Sequence, residues 1–524
     1  MNTDNDDDIC VDNSLDSEWI PFDIFRRKIE VVNERITSSV YNTLFFKVNE
    51  NGEFEPESSG QADLWDGDHV RMPNSNMNEI NLQGVKRNRW QVFIQQLGTD
   101  TPSFEDFYEL IMMTNQRFRN YWNFKILSLI VKNLPGHLET LKFILNLASQ
   151  LPDQIKKPIP LIRKGNSNSL TFTQYQIAVL LANAFICNYP RRNRVGFGSE
   201  FSSFPTINFS HLFSGNNNEI SQDNCKYHKI LCFLNYFERI KKGEYRNSCV
   251  TFTRRVLNIA PDWSEADKKV SSIQLTLSST ARIEDYSLDT IQVDFANKYL
   301  GGGVLNHGCV QEEILLCLKP EIIIGRLFFE SLDSNECLLV HGAERFSKYS
   351  GYAETFRYEG DFVEGTDSRS VKDSWKRWRS YVTVIDAKVY SGLSEQLTQK
   401  SLERELNKAF CGFTDTLHPY TQLPDVVVSG NWGCGVFGGD VEVKSIIQLM
   451  ACVEADKNLA YCTFHDEGSQ KRFFNIYTIM VKHSITIGKL WICLSEFRKS
   501  VLEGEKNQSF YDFIERKILD SNKK

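Results

Sequence analysis

No C-x-x-C pair occurs among the thirteen cysteines, which are scattered from Cys10 to Cys493, so the paired spacing of zinc ribbons and redox motifs is missing. Cys225, His228 and Cys232 come nearest to a metal-ligand pattern, with Cys462 and His465 far along the chain. A tetrahedral structural zinc needs a fourth ligand that this short segment does not supply. Neither a metal nor a cofactor is expected. The odd cysteine count, and an acidic, polar Met1–Asp16 without the apolar stretch of a signal peptide, predict reduced and mostly buried thiols in a nucleocytoplasmic protein. Long apolar runs are also lacking. The mainly apolar Ile177–Cys187 is too short for a bilayer core of ~30 Å and reads as a buried helix capped near Thr173. Bulk positive charge is absent too: 60 Lys and Arg stand against 67 Asp and Glu, a net charge of -7. No generalised basic surface can therefore hold a polyanion, and a nucleic-acid-like polymer would have to be read by local pockets. There are no internal repeats, heptads or long low-complexity tracts.

What is present divides by texture. Residues 1–18 are rich in Asp and Asn and read as a disordered acidic tail. Residues 19–60 form an N-terminal extension with amphipathic material (Ile24, Phe25, Ile29, Val32) and no assigned role. From 61 to 225 apolar residues recur at three-to-four spacing over 104–113, 121–134 and 138–151, with Pro158 and Pro160 breaking the pattern before the buried helix. This reads as an all-helical accessory domain. From 226 to 524 short β-branched runs (291–295, 337–341, 381–385, 426–429, 461–464) alternate with helical segments (312–318, 401–410, 441–455). Such alternation predicts a layered α/β domain on a parallel or mixed sheet, with ligand sites in loops beyond the carboxyl ends of strands.

Two constellations could carry chemistry. Gly301-Gly302-Gly303 follow the run that includes Asp294 and Asn297, and precede a helix opening with Gln311-Glu312-Glu313. Three successive glycines are costly in backbone entropy and make sense where the chain approaches a ligand closely. The plainer alternative is a flexible loop before a helix whose first-turn acids offset the macrodipole. The second constellation, Ser429 to Asp440, is a glycine-rich strand-to-helix loop. Its N–H groups can form a nest for phosphate oxygens, reinforced by the helix N-terminus; a purely structural turn is the alternative. The Lys and Ser/Thr of a Walker loop and the Rossmann glycine spacing are missing, which disfavours an NTPase or a dehydrogenase.

Together these blocks resemble the signature of poly(ADP-ribose) glycohydrolases. Further stretches resemble that family: Trp65–Pro73, Pro158–Ile162, Leu181–Asn193, Gly351–Thr355, Glu403–Phe413 and Gly430–Asp440. The resemblance implies a macrodomain-like three-layer α/β/α sandwich with a mixed sheet (226–524), preceded by the helical domain (61–225). It implies an enzyme that hydrolyses the ribose–ribose O-glycosidic bonds of poly(ADP-ribose) and releases ADP-ribose. Its partners would be the polymer and poly-ADP-ribosylated proteins, without sequence-specific nucleic-acid binding or a membrane. A monomer in the nucleus and cytoplasm, serving the DNA damage response, is expected.

By motif position the resemblance makes Glu313 the general acid that protonates the leaving ribose hydroxyl, and then the base for the incoming water. Neighbouring residues have Cα atoms only ~3.8 Å apart and cannot flank a sugar from opposite faces, so Glu312 would instead orient the departing sugar's hydroxyls. Asp294 and Asn297 would fix the ribose and the glutamates. The ADP-ribose unit would lie across both glycine loops, Gly301, Gly302, Gly303 and Gln311 on one side and Gly433, Cys434, Gly435, Val436, Phe437 and Gly438 under the diphosphate, with Asn431 also touching substrate. Adenine would meet Ile283 and Glu284, the latter accepting the exocyclic amine, with Phe464 near the base and Tyr352 near the ribose-diphosphate. His307 is expected to lie in a variable loop without a catalytic role. Lys86–Arg89 and Arg191–Arg194 could guide polymer or nuclear import, although the latter could equally complement the dipole of the preceding helix. Trp375–Arg379 reads as a solvated helix face. The rival readings are a non-catalytic macrodomain reader, which would need no carboxylate pair, and a hydrolase of mono-ADP-ribosyl groups.

Overall fold

The computed structural model describes residues 36–60, 63–97, 103–190, 201–243, 245, 247–286, 288–364, 372–417, 422–504 and 509–521; the expectations for 1–18 and Arg191–Arg194 lie outside the described residues. Along Glu336–His341 every residue is buried, yet Leu338 and Val340 join one apolar core while Cys337 and Leu339 join another. Tyr381–Asp386 repeats the pattern, Val382 and Val384 facing the first core, Tyr381 and Ile385 the second. Side chains alternate across a strand, so a strand apolar on both faces must lie in a sheet covered on both sides. The sheet is therefore the middle layer of a sandwich.

That sheet has nine strands: β1 (Asn42–Leu44), β2 (Ser169–Thr173), β3 (Cys249–Val256), β4 (Leu275–Ser278), β5 (Ile291–Ala296), β6 (Glu336–His341), β7 (Tyr381–Asp386), β8 (Val426–Gly430) and β9 (Asn458–Cys462), in the order β1-β2-β3-β6-β7-β5-β8-β9-β4. It is mixed. β2, β3, β6 and β7 pair antiparallel in succession, whereas β7, β5, β8, β9 and β4 run parallel. Helices Lys125–Asn133, His137–Ser149, Gln174–Phe185, Cys225–Lys241 and Gln311–Leu318 supply the first core; Gln399–Phe413, Val441–Glu454, Glu467–Lys482, Ile487–Leu502 and Phe510–Ser521 supply the second.

The uncharged stretch after Gly165 forms the expected buried helix, Gln174–Phe185. Thr173 Oγ1 accepts the Gln176 N–H, and Gln176 Oε1 accepts the Thr173 N–H, both at 3.0 Å, a reciprocal cap that satisfies two orphan donors. The helical region also lends β2 to the sheet and contains a hairpin, Glu79–Leu82 with Val85–Asn88. The extension before residue 60 acquires a place: its Asn42–Leu44 is the edge strand, parallel to β2. Cys225–Lys241 packs against both His137–Ser149 and Gln311–Leu318, tying the two parts of the chain together.

Three local expectations are corrected. The helix expected over 121–134 begins only at Lys125, because Phe124 is left-handed at φ 46°, a conformation that cannot propagate a helix. The strand expected over 461–464 ends at Cys462, since Phe464 and His465 are left-handed at φ 55° and 64°. Trp375–Arg379 is a turn and no helix: Lys376 has φ 60°, and Asp373 Oδ1 accepts the N–H groups of Trp375 and Arg377, each at 2.9 Å. Within the first basic cluster, Lys86 and Arg87 are exposed. Arg89 is buried and donates to Asn115 Oδ1 and the Cys187 carbonyl, both at 2.8 Å, so it serves the helical core.

Candidate active site

β5, β8, β9 and β4 are successive parallel neighbours, so the loops leaving their carboxyl ends gather on one edge of the sheet. Those loops carry Asn297–Val310, Asn431–Asp440, Thr463–His465 and Ser279–Glu284 respectively. Four segments far apart in sequence are thereby brought together.

On the first loop both glutamates are buried, Glu312 at 3% and Glu313 at 6% exposure. Although they stand in the first turn of Gln311–Leu318, their carboxylates fold back onto the preceding loop. Glu312 accepts the N–H groups of Gly301 at 2.6 Å and Asn297 at 2.9 Å; Glu313 accepts those of Gly303 and Val310, both at 2.9 Å. The glycines follow from this packing. Gly302 has φ 42°, and a Cβ there would stand 2.6 Å from Glu312 Oε2 and 2.7 Å from Glu313 Oε1. A Cβ at Gly308 would stand 2.5 Å from Glu313 Oε1. Close approach is required, then, by the protein's own carboxylates.

Asp294 completes a buried acidic trio. Among the described residues neither of its carboxyl oxygens meets a hydrogen-bond partner. Burial, and then the Glu313 charge, push its carboxyl well above the usual range. Glu312 is also pushed well above it by burial, by Asp294 and by Glu313, against the opposing Asn297 and Gly301 N–H groups. Like charges this close cannot all be held out of water, so burial and mutual repulsion disfavour the ionised forms of Asp294 and Glu312. Gln311 spends its side-chain amide on β5, accepting from the Phe295 N–H at 2.8 Å and donating to the Val293 carbonyl at 3.1 Å. Asn297 Oδ1 accepts the Tyr299 N–H at 3.1 Å.

Two cations that sequence reasoning missed hold this loop. Buried Arg326 donates to the carbonyls of Leu300 and, at 3.5 Å, Gly302, and through Nε to Thr206 at 2.7 Å. Burial lowers its pKa to about 10, with Glu312 and Glu313 opposing. Lys229, from Cys225–Lys241, donates to the carbonyls of Val304, Asn306 and Gly308. Neither belongs to a motif: Lys229 follows Lys226 and His228 in Cys225–Lys241, and Arg326 stands alone among apolar residues.

The second loop is built on Trp432, fully buried, whose Nε1 donates to the Ile385 carbonyl at 3.0 Å. Lys444 Nζ lies 3.3 Å over its ring and is ion-paired with buried Glu405. Gly433 has φ 75°, and a Cβ there would stand 2.6 Å from the Ala387 Cβ. The Gly439 N–H donates to the Gly433 carbonyl at 3.0 Å, and the Gly438 N–H to that of Gly435 at 3.0 Å. Among the described residues the N–H groups of Gly435, Val436 and Phe437 meet no protein acceptor, and Gly435 and Val436 are exposed. Successive free N–H groups on a curved loop suit an anion. The expected help from the helix N-terminus is reduced, because Asp440 caps Val441–Glu454 and takes the Val443 N–H at 2.9 Å. Cys434 is half-buried and its thiol is pushed up to about 12 by burial. Asn431 Oδ1 accepts the Tyr461 hydroxyl at 3.0 Å, and Phe437 packs on the second core.

At the far end Ile283 belongs to a small core with Val426, Val428, Ala460 and Cys462. Buried Glu284 accepts the Tyr349 hydroxyl, a partner without a sequence signal, while Arg345 donates to its carbonyl at 3.0 Å. Burial raises the Glu284 carboxyl. Tyr352 and Phe464 meet at 4.8 Å between ring centroids, and Tyr352 reaches the backbone of Gln311, which links this end to the glutamates. Phe464 remains 51% exposed. His307 is 73% exposed on its side chain and pairs with Glu219 at 2.9 Å. The weak metal pattern is dispersed: Cys225 lies beside Cys309, His228 Nδ1 accepts the Tyr358 N–H at 3.2 Å, and Cys232 is buried in the helical core.

Residues 137–254 match the family described as poly (ADP-ribose) glycohydrolase (PARG), helical domain, and residues 260–471 match its macro domain fold. The chain is 32% identical over 449 residues to poly(ADP-ribose) glycohydrolase 1 of Arabidopsis thaliana, spanning 72% of this chain and 78% of that protein. It is 30% identical over 416 residues to probable poly(ADP-ribose) glycohydrolase 2 of the same plant, spanning 70% and 76%. To poly(ADP-ribose) glycohydrolase 2 of Caenorhabditis elegans it is 30% identical over 389 residues, spanning 70% and 71%.

Proposed function

The chain belongs to the poly(ADP-ribose) glycohydrolase family, and we propose that Glu313 is the general acid and base with which it hydrolyses the ribose–ribose bonds of poly(ADP-ribose). The observation that carries this assignment is the fixing of the Glu313 carboxyl by the N–H groups of Gly303 and Val310, against Gly302 and Gly308, where an added Cβ would stand 2.7 and 2.5 Å from its Oε1.

In this reading the diphosphate of an ADP-ribose unit rests on the N–H groups of Gly435 to Phe437. Its adenine lies by Ile283, Glu284 and Phe464, and Tyr352 closes over the ribose-diphosphate. The ribose is then carried against Gly301–Gly303, with Asn297 beside it. Cleavage passes through an oxocarbenium-like transition state and needs a proton on the leaving oxygen. Glu313, carrying a proton in the substrate complex, gives it to the leaving glycosidic oxygen as the C–O bond breaks, and that oxygen departs as the ribose hydroxyl. Glu313 then takes a proton from the water that adds to the anomeric carbon. Glu312 holds and orients the hydroxyls of the departing sugar, and Asp294, whose ionised form is disfavoured by burial and by the Glu313 charge, limits the negative charge gathered in the cluster.

Release of ADP-ribose from purified polymer tests the assignment. Glu313→Gln is expected to lose roughly 10²–10⁴-fold in kcat while still binding ADP-ribose in calorimetry. Retained cleavage would remove Glu313 from the acid role. Inactive wild-type protein that binds ADP-ribose would make it a reader, and release from mono-modified protein but not polymer would make it a mono-ADP-ribosyl hydrolase. We further propose that it acts as a monomer in the nucleus and cytoplasm on poly-ADP-ribosylated proteins of the DNA damage response, without sequence-specific nucleic-acid binding. Among the described residues no helix is long and apolar enough to cross a membrane. Cell fractionation and sedimentation of the purified chain test these assignments.

A further inference from the structure

Between the two N–H groups that hold Glu313, those of Gly303 and Val310, the chain makes a run of tight turns. The Asn306 and Gly308 N–H groups both return to the Gly303 carbonyl, at 2.8 and 3.1 Å. Turns of this kind leave carbonyls pointing the same way with nothing to receive. Three of them, on Val304, Asn306 and Gly308, converge on Lys229 Nζ at 3.0, 2.8 and 2.6 Å. An ammonium has three N–H donors, and all three are used. The residue is 0% exposed, so the charge is sustained by carbonyl dipoles rather than by water.

We propose that Lys229 is a positioning residue for the glycohydrolase reaction: it holds the 304–308 turn so that the Gly303 and Val310 N–H groups keep the Glu313 carboxylate in its reactive place. The lysine comes from Cys225–Lys241, within the stretch that matches the helical domain, and its acceptors lie within the stretch that matches the macrodomain. The stretch 137–254 thus completes the catalytic loop rather than only flanking it. Arg326 acts on the other flank of Gly303, through the carbonyls of Leu300 and Gly302, so the loop is braced on both sides. Among the described residues no hydrogen bond joins this brace to the Gly433–Gly439 loop, and loss of the lysine should slow chemistry without loosening the diphosphate.

The inference rests on Glu313 being the acid, so wild type, Glu313→Gln and Lys229→Met are assayed side by side on purified polymer. Misplacing a catalytic group by an ångström costs about 100-fold, and kcat of Lys229→Met is expected to fall by that order. Its KM, and the ADP-ribose Kd from calorimetry, are expected to stay within about threefold, the signature of a contact that matters only at the transition state. Hydrogen exchange should quicken at the Gly303 and Val310 N–H groups but not at Gly438 and Gly439. Wild-type kcat in Lys229→Met, with Glu313→Gln inactive, overturns the inference and leaves the acid assignment standing. A joint loss of kcat and ADP-ribose affinity overturns it too, by showing a general structural role. Active Glu313→Gln removes the reading beneath it. If Lys229→Met does not fold, the same comparison is made on Lys229→Gln, which keeps two neutral donors on a shorter stem and should retain part of kcat.

Discussion

Glu313 accepts the backbone N–H of Gly303 at 2.9 Å, from a glycine that sits ten positions earlier and whose carbonyl accepts the Asn306 and Gly308 N–H groups. Acid and glycine therefore act as one unit. A change on either side of this hydrogen bond should be read in the rate before it is read in binding.

Gly302→Ala tests that unit. Its Cβ would stand 2.6 and 2.7 Å from the two carboxylates, at φ 42°. Left-handed strain at a non-glycine residue costs about 1–3 kcal/mol, and displaced carboxylates should lower kcat about 100-fold. Polymer kinetics and urea unfolding measure the two effects. Full activity would show that the carboxylates can shift without consequence.

The Gly433–Gly439 loop, proposed to hold the diphosphate, offers a matched pair. Gly433→Ala drives a Cβ into Ala387, 2.6 Å away at φ 75°, whereas a Cβ at Gly435 meets nothing within 4 Å. Hydrogen bonds to a charged group are worth about 1.5–3 kcal/mol, so Gly433→Ala should weaken ADP-ribose roughly 10- to 100-fold. Gly435→Ala should bind close to wild type. Equal losses in calorimetry would argue against a nest shaped by Gly433.

Phe464 is half exposed and meets Tyr352 at 4.8 Å. Stacking on a base is worth about 1–3 kcal/mol, so Phe464→Ala should lose roughly 5- to 150-fold in ADP-ribose affinity. Affinity for inorganic pyrophosphate should not change. Loss of both would place the aromatic pair away from the base.

A pH dependence of stability comes from Glu321, which is fully buried and raised to about 8 by burial, the Glu344 N–H opposing the rise and the Glu344 charge adding to it. The folded protein keeps a proton that the unfolded chain releases above its ordinary value near 4.5. Its contribution is therefore complete below pH 4.5 and declines as pH rises through about 8. Glu321→Gln should flatten this decline. Unfolding midpoints from pH 5 to 9 with identical slopes in the two proteins would show that Glu321 is ionised in the fold.

Much of the fold was legible because it rests on periodicity. The short runs at 337–341 and 381–385, which alternate with helical segments, and the cap at Thr173 are local patterns, and the strands and helix appear where they were expected. Boundaries failed where left-handed residues intervened, at Phe124 and at Phe464-His465, since propensity does not forecast a local positive φ. β1 was missed because three residues of edge strand carry too short a pattern. In the candidate site, Gly301–Gly303, Gln311–Glu313 and Gly430–Asp440 were legible as compact motifs. Lys229, Arg326 and Tyr349 were not.

By itself the sequence determined the two glycine loops, the paired acids and the alternation that makes a covered sheet, because each is written in residue types at short spacing. Only the tertiary structure decided that the glycines make room for the protein's own carboxylates, that Asp440 occupies the helix end beside the phosphate loop, and that Lys229 and Arg326 brace the acid. The reason is physical: these contacts end on backbone N–H and carbonyl groups, which every residue carries alike, so nothing in the acceptor's identity announces its partner until the chain has folded.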